Sequence, residues 1–531
     1  MMSSATAITS PQLILGDHTA NRNAALRSEA QPLFDTVATR QIEHATQATL
    51  APHALMQRAG LSAARLALAL APHSNTFWIA CGPGNNGGDG LEAAMHLKQW
   101  GKSPVVTWLG NLGAAPADAA LSRQRALDAG VTFVDAPPEE FDFCIDALLG
   151  IGNSSTSPPR EIERRMADWI ALINTSRAPV LAVDLPTGLN ADTGDAGTVC
   201  VRATATLSLV TLKPGLFTAQ GRDASGDIWL DTLGTQDIRA VDAPTAWLAR
   251  APASWARDHS SHKGSFGDVA VIGGAPGMTG AALLAASAAL HFGAGCVYVM
   301  LLDGGSMAVD PQNPELMFRP FDDHNFAASF GSADTAMTAV CGCGGSSALI
   351  APVVAKLLSS NAHVVFDADA LNAIAADETL QATLSARAAR GLQTVLTPHP
   401  LEAARLLATT TQTIQKNRLN AAQTLAHRFN CIVVLKGSGT VIAAPGQTPV
   451  VNPTGNALLA TAGTGDVLAG MVGARLAGLR SQHIDTPTTL AAVTFQAACE
   501  AVYVHGLVAD EWPAQRALTA SRLAQAVKMD V

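Results

Sequence analysis

The stretch Gly82-Pro83-Gly84-Asn85-Asn86-Gly87-Gly88-Asp89-Gly90 lies between an apolar run, Phe77-Trp78-Ile79-Ala80-Cys81, and a helix-like segment, Leu91 to Trp100. Five glycines in nine residues let a backbone come close to a ligand with several N–H groups aimed at it. A helix beginning just after them adds its partly positive end, so the arrangement suits a phosphate or pyrophosphate. Gly82, Gly84 and Gly87 satisfy G-x-G-x-x-G, but a hydride-carrying dinucleotide fold also wants an acid at the end of the next strand to hold the ribose. The next strand candidate, Val105-Val106-Thr107-Trp108, runs into Leu109-Gly110-Asn111 and offers none, and no Walker loop occurs in the chain. The plain alternative is a glycine-rich turn that only packs; packing needs no polar trio such as Asn85, Asn86 and Asp89.

Working outward, apolar runs at 77–81, 105–108, 141–145, 180–183 and 206–210 alternate with helix-length segments, the pattern of βαβ units on a parallel sheet. The stretch Ala240 to His262 interrupts it with Pro244, Pro252, Trp247, Trp255, His259 and His262. A second series follows at 269–272, 296–301, 339–340, 363–366, 394–396 and 431–435. With 531 residues exceeding one ordinary core, the chain is expected to be α/β throughout, with a disordered leader (1–32) and two doubly wound domains (33–247 and 248–531). The two halves share the alternation but no loop motif, so no sequence repeat is expected.

A net charge of -9 without a basic run argues against nucleic acid or an anionic membrane surface as partner and points to small molecules. Eight scattered cysteines fit buried free thiols of a reducing compartment, hence a cytoplasmic protein. Cys341-x-Cys343 without a second pair is poor evidence for zinc. Ala281 to Ala289 is too short to span a bilayer, and the first thirty or so residues lack the apolar core of a secretory signal.

In an open parallel sheet, ligands bind beyond the carboxyl ends of the strands. There the first half carries the glycine loop, then Asp146 with the turn Gly150-Ile151-Gly152-Asn153, then Asp184-Leu185-Pro186-Thr187-Gly188. One aspartate ending a strand is often just a helix cap; two beside an anion loop suggest a shared crevice. The carboxylate of Asp146, the amide oxygen of Asn86 and the hydroxyl of Thr187 are hard ligands of the kind an alkali or alkaline-earth cation takes. That leaves Asp184 as acid or base.

These motifs, in this order, resemble the NAD(P)H-hydrate epimerase domain, the YjeF N-terminal domain, over roughly residues 35–240. The resemblance implies a Rossmann-like three-layer fold. It implies that Asn85, Asn86, Gly87, Gly88 and Asp89, with Gly150, Ile151, Gly152, Asn153, Ser154, Ser155, Thr156 and Asp184, hold a hydrated dinucleotide. It further implies potassium on Asn86, Asp146 and Thr187, and Asp184 as the catalytic group. Protonating the C6 hydroxyl of such a substrate and expelling water gives a planar iminium that can be re-hydrated on either face, so one aspartate can serve both directions. Two departures stand out. Gln57 replaces the family's glutamate in Leu55-Met56-Gln57-Arg58-Ala59-Gly60, and Asn153 to Pro159 is serine- and proline-rich where the family has a more basic loop.

In the second half, Asn452-Pro453-Thr454-Gly455-Asn456 precedes Ala462-Gly463-Thr464-Gly465-Asp466-Val467-Leu468-Ala469-Gly470, a glycine turn opening a helix with a carboxylate in its first turn. A lone Gly-x-Gly-Asp is usually a turn with a cap. Its neighbours are further strand-end loops, Phe366-Asp367-Ala368-Asp369, Thr397-Pro398-His399-Pro400-Leu401-Glu402 and Lys436-Gly437-Ser438-Gly439-Thr440. The series resembles the ADP- or ATP-dependent NAD(P)H-hydrate dehydratase, a ribokinase-like α/β/α fold, over about residues 255–520. By that resemblance Lys436, Gly437, Ser438, Gly439, Thr440 and Gly465 contact the nucleotide. Ala281, Gly344, His399 and Asp466 contact the substrate, and Asp466 is the catalytic base. Magnesium accompanies the ADP or ATP, and the chain is expected to assemble as a homo-oligomer. Gly342-Cys343-Gly344-Gly345-Ser346 stands where the family has Gly-Pro-Gly-Leu-Gly, and Leu401 stands at a glycine position where the backbone is expected to need positive φ. A small-molecule kinase joined to a non-catalytic dinucleotide module is the rival reading, and a scaffold with a degenerate first site is a third; the pairing of the two halves weighs against both.

Overall fold

The computed structural model describes residues 10–16, 29–110, 113, 115–151, 164–235, 238–253, 257–332, 337–480 and 486–527. The chain divides between Trp247 and Leu248 into two compact units.

In the first unit, strands Gln12–Leu15 (β1), Thr76–Cys81 (β2), Ser103–Trp108 (β3), Thr132–Val134 (β4), Phe143–Ala147 (β5), Val180–Val183 (β6), Ala205–Leu209 (β7) and Asp227–Asp231 (β8) form one sheet. Their spatial order is β1-β8-β7-β6-β5-β2-β3-β4, all parallel except β1 against β8. Alternate residues of β2 serve opposite cores. Phe77, Ile79 and Cys81 join Ala59, Ala63, Leu91 and Ala94 from helices Ala54–Leu70 and Asn85–Gln99, while Trp78 and Ala80 join Met166, Trp169 and Ile170 of helix Arg164–Thr175. A sheet covered on both faces needs apolar residues at both parities, which is why β2, β5 and β6 read as continuous runs. The chain leaves β2 toward β3 in one direction and resumes at β5 on the other side, so the crevice opens where the ends of β2 and β5 diverge.

The leader expected to lack structure over 1–32 contains β1. Its short apolar run, Gln12-Leu13-Ile14-Leu15, completes the exposed edge of β8, a partnership that the surrounding polar composition hides. β4 and β8 were also missed as strands. β4 is short and half-exposed, and β8 carries aspartate at both ends.

In the second unit, strands Asp268–Gly273 (β9), Cys296–Leu301 (β10), Met317–Phe318 (β11), Thr338–Cys341 (β12), Val364–Phe366 (β13), Thr394–Leu396 (β14), Ile432–Leu435 (β15), Val441–Ala443 (β16) and Val450–Val451 (β17) follow the order β11-β10-β9-β12-β13-β14-β15-β16-β17. Strands β9 to β15 are mutually parallel, and β16 and β17 add antiparallel. The direction reverses between β9 and β12, giving this unit its own crevice. Val340, Val365, Val395 and Val434 face a core shared with helices Thr279–His291 and Thr464–Arg480. Those two helices touch backbone to backbone: a Cβ on Gly470 would lie 2.0 Å from the Ala285 carbonyl oxygen. Among the described residues one helix segment, Thr489–Asp510, is long and apolar enough to cross a membrane, and 67% of it is buried inside the protein. Phe495, Ala498, Val502 and Val504 join the same core.

Candidate active sites

The glycine stretch is mostly helix. Helix Asn85–Gln99 starts directly after its N-cap Gly84, not near Leu91, so Asn85 to Gly90 are its first turns. Gly87, Gly88 and Gly90 have no positive φ; they are needed because a Cβ would meet Gly82 O at 2.1 Å, Met56 Sδ at 2.5 Å and the Ala147 Cβ at 2.5 Å. A Cβ on Gly82 would lie 1.8 Å from Leu148 O, so the turns after β2 and β5 interlock. Beneath the helix, buried Glu92 accepts from Arg125 Nε at 2.8 Å and lies 2.9 Å from His53 Nε2 through the same oxygen, fixing its position.

This packing presents Asn86 to the crevice. Its Nδ2 is buried and has no partner among the described residues, and its Oδ1 lies 3.3 Å from where a Gly150 side chain would begin, with Asp184 Oδ2 at 3.1 Å from the same point. Asp146, fully buried, accepts from Leu148 N (3.2 Å), Thr187 N (2.8 Å) and Thr187 Oγ1 (2.7 Å). Burial still pushes its carboxyl up to about 6, against the downward pull of those bonds. Thr187 Oγ1 also accepts from Leu149 N at 3.0 Å. The structure thus joins Asp146 to Thr187, and Asn86 to Gly150 and Asp184. Gly152, Asn153, Ser154, Ser155 and Thr156 lie outside the described residues.

Asp184 adopts φ +67, a conformation with a steric cost for a residue bearing a Cβ. Its Oδ1 takes the ammonium of Lys213 and, at 3.4 Å, Leu209 N; its Oδ2 accepts from Ile151 N at 3.3 Å. Lys213 is fully buried and was missed by sequence reasoning. The available signal was a lysine four residues beyond a strand end, ahead of Pro214-Gly215. Glu43, on helix Thr36–Gln47, is raised to about 7 by burial and then by the charge of Asp184, with Lys213 and Arg40 opposing. Asp89 is raised well above the usual carboxylate range, first by burial and then by Asp184, Glu43, Glu92 and Asp118. The crevice therefore holds several acids around one buried ammonium.

In the second unit the loops after β9 and β12 interlock in the same manner. Gly344, at φ +64, hydrogen-bonds Ala275 N through its carbonyl at 2.7 Å, and a side chain there would meet the Ala281 Cβ at 3.1 Å. Ala281 and Gly344 are thus neighbours. Asp466 stands in the first turn of helix Thr464–Arg480. Burial and then the nearby Asp367 charge raise its carboxyl to about 6, while a hydrogen bond with the Cys343 thiol pulls the other way. Cys343, Asp367 and Asp466 place ligand atoms within 4.8 Å of one another.

Lys436, expected among the nucleotide contacts, directs its ammonium to Asp367 Oδ1 at 2.6 Å, and a Cβ on Gly465 would lie 3.3 Å from it. Behind this loop, buried Arg418 donates to Leu435 O (3.1 Å) and Lys436 O (3.2 Å). Gly437 at φ +144 lets the backbone pass that guanidinium. Thr440 Oγ1 closes the loop on Gly437 O at 3.1 Å; Ser438 and Gly439 complete it. His399 is the N-cap of helix Pro400–Leu406: its Nδ1 accepts from Leu401 N at 3.1 Å, and its own N–H reaches Glu402 Oε2 at 2.8 Å. The ring remains 45% exposed, so capping leaves a face for a ligand. Leu401 lies inside that helix without positive φ, contrary to the expectation of a left-handed position. The helix begins one residue earlier, at Pro400, and takes Leu401 into ordinary helical backbone. Asp367 and Cys343 complete this cluster; the first was visible as a strand-end loop and the second only as a departure from the family pattern.

A family model described as NAD(P)H-hydrate dehydratase matches residues 269–529, and one described as YjeF-related protein N-terminus matches residues 52–215. The chain is 32% identical over 502 residues to the bifunctional NAD(P)H-hydrate repair enzyme Nnr of Escherichia coli (strain K12), covering 93% of this chain and 92% of that one. It is 34% identical over 490 residues to the bifunctional NAD(P)H-hydrate repair enzyme of Leishmania braziliensis, with coverages of 86% and 84%. A solved structure of ADP/ATP-dependent NAD(P)H-hydrate dehydratase from Bacillus subtilis, co-crystallized with ATP/Mg2+, is 30% identical, covers 51% of this chain and 90% of that one, and has a TM-score of 0.39. The chain therefore belongs to the family of bifunctional NAD(P)H-hydrate repair enzymes.

Proposed function

We propose that the first unit interconverts the R and S epimers of hydrated NADH or NADPH and that the second dehydrates the S epimer at the expense of ADP or ATP. The observation that carries the first assignment is the convergence of Asp184 Oδ2, Asn86 Oδ1 and the Gly150–Ile151 turn where β2 and β5 diverge. Asp184 acts there as the proton carrier. Its carboxyl protonates the C6 hydroxyl, the C–O bond breaks with loss of water, and the planar iminium takes water on the other face while the proton returns to the carboxylate. Asn85 to Asp89 and Gly150 to Thr156 bind the dinucleotide, the former through the N–H groups of a helix start.

The residues fit a monovalent cation in this unit. Asp146 is a buried carboxylate with no basic partner among the described residues, and Asn86 Oδ1 and Thr187 Oγ1 can add neutral oxygens to it. Potassium held by Asn86, Asp146 and Thr187 would supply positive charge beside the bound substrate.

In the second unit Asp466 accepts the proton of the C6 hydroxyl as its oxygen takes a phosphoryl group, and phosphate then leaves in place of hydroxide. Lys436 to Thr440 with Gly465 face the nucleotide, and Ala281, Gly344 and His399 face the substrate. The described side chains make no ready magnesium cage: the Cys343 sulfur is the wrong donor for that ion, and Asp367 already holds Lys436. Magnesium would be held chiefly through phosphate oxygens. The protein works on small molecules in the cytoplasm as an oligomer.

One assay tests both assignments. Hydrated NADH is incubated with ADP, and return of NADH absorbance is followed from pure R and pure S epimers. Wild type should restore both; a protein that phosphorylates another small molecule and leaves hydrated NADH untouched would be the kinase of the rival reading.

A further inference from the structure

Two strained backbone positions hold Asp184 in place. Asp184 itself stands at φ +67 with its N–H on Leu207 O at 2.8 Å. Directly after β7, Val210 stands at φ +63 while 1% exposed, a conformation that a β-branched residue adopts only where its surroundings impose it. Val210 N is held by Asp231 O at 2.9 Å, Thr211 N by Leu209 O at 2.7 Å, and Thr211 Oγ1 by Thr39 Oγ1 at 2.8 Å. This turn brings Lys213 back beneath Asp184.

The Lys213 ammonium has three donor directions. They go to Asp184 Oδ1, to Leu209 O at 2.8 Å and to Ser208 Oγ at 3.3 Å. All three are taken by protein, so Lys213 has no hydrogen left for a substrate. We infer that Lys213 is a positioning residue of the epimerase: it occupies Asp184 Oδ1 permanently, so that Oδ2, on the side of Ile151 and Asn86, is the oxygen that carries the proton. The inference rests on the epimerase reading of the first unit. The other charged groups around the pair are Glu43 and Arg40 on helix Thr36–Gln47 and Asp89 on helix Asn85–Gln99. None of them makes a hydrogen bond to Asp184 or Lys213 among the described residues.

The role is tested in the full-length chain with R epimer, ADP and an excess of S-specific dehydratase, so that epimerisation limits the rate; the S epimer alone reports the second unit. For Lys213→Met, kcat on the R epimer should fall by about 100-fold with KM changed less than about threefold, and Lys213→Arg should recover about tenfold of the loss. Turnover of the S epimer should be unaltered. Adding Lys213→Met to Asp184→Asn should lower the rate no further, because the two residues act as one unit. The inference is overturned if Lys213→Met keeps kcat within about twofold, if the loss lies in KM, or if the double variant loses the product of the two single losses. If Lys213→Met fails to fold, seen as loss of the first unit's melting transition, Lys213→Arg decides: a folded Arg variant with kcat as low as Asp184→Asn shows that retained charge is not enough and sinks the role. Should wild type leave the R epimer unconverted, the epimerase reading fails instead.

Discussion

The two units treat the aspartate proposed to react in each differently. In the first, a buried ammonium lies on Asp184 itself. In the second, the ammonium of Lys436 lies on the neighbouring Asp367 and reaches Asp466 only as a more distant charge; burial and the Asp367 charge raise Asp466 to about 6 against the downward pull of the Cys343 thiol and Lys436. An epimerase carboxylate must both give and take a proton without net change, and a fixed ammonium keeps one oxygen out of that exchange. A dehydratase base only has to take a proton from a hydroxyl, and a carboxyl raised toward neutrality is a stronger acceptor once ionised. The difference is in which carboxylate the lysine of each site lies on.

That contrast can be broken most directly at the second unit. Asp466→Asn should abolish NADH recovery from both epimers, a fall of more than about 1,000-fold in the absorbance assay, because the S epimer is the common intermediate. Residual recovery above about one-tenth of wild type would assign the base elsewhere. Asp184→Asn should slow R-epimer conversion by about 100- to 1,000-fold while sparing the S epimer; equal losses on both would place Asp184 in a structural role.

A smaller effect sharpens the contrast through pH. Asp466 must be ionised to accept a proton, and its carboxyl lies near 6, so S-epimer turnover should fall as pH drops through about 6 and flatten above it. The Cys343 thiol favours the ionised form. Cys343→Ala should therefore move the acidic limb to higher pH, with little change on the plateau; a limb that stays in place would deny that hydrogen bond any role. The smallest effect concerns the cation. Replacing choline chloride with potassium chloride should raise the melting transition of the first unit by a few degrees, about 1–3 kcal/mol, and leave the second unchanged. An equal shift in both would mean a general salt effect.

Much of this was readable before the structure because ligands of open parallel sheets collect at strand ends, and three strand ends were marked by apolar runs stopping at Asp146, Asp184 and Asp367, while Asp466 was marked by a glycine turn opening a helix. The glycines of 82–90 were read as freedom for a loop, whereas their role is to let a helix start, a neighbouring helix and two turns come within contact distance. Composition cannot separate those uses, since both call for a missing side chain. Lys213 escaped because a strained turn, not a periodic pattern, carries it to Asp184, and no local propensity announces a valine at positive φ. Leu401 misled for the opposite reason: the glycine that the family places there suggests a special backbone, and the structure absorbs the residue into a helix.

The turn at Val210 constrains which residue can stand there. Asparagine or glycine would take that backbone with less strain, but Val210 is packed into the core, so the first would bury an amide and the second would leave a cavity. Valine is the residue that costs conformational energy and, being stiff at its first side-chain torsion, keeps the returning segment from wandering. Position 210 is therefore held from two sides, by its packing and by the turn that returns Lys213 to Asp184, so a change there should reach the first activity while leaving the second intact.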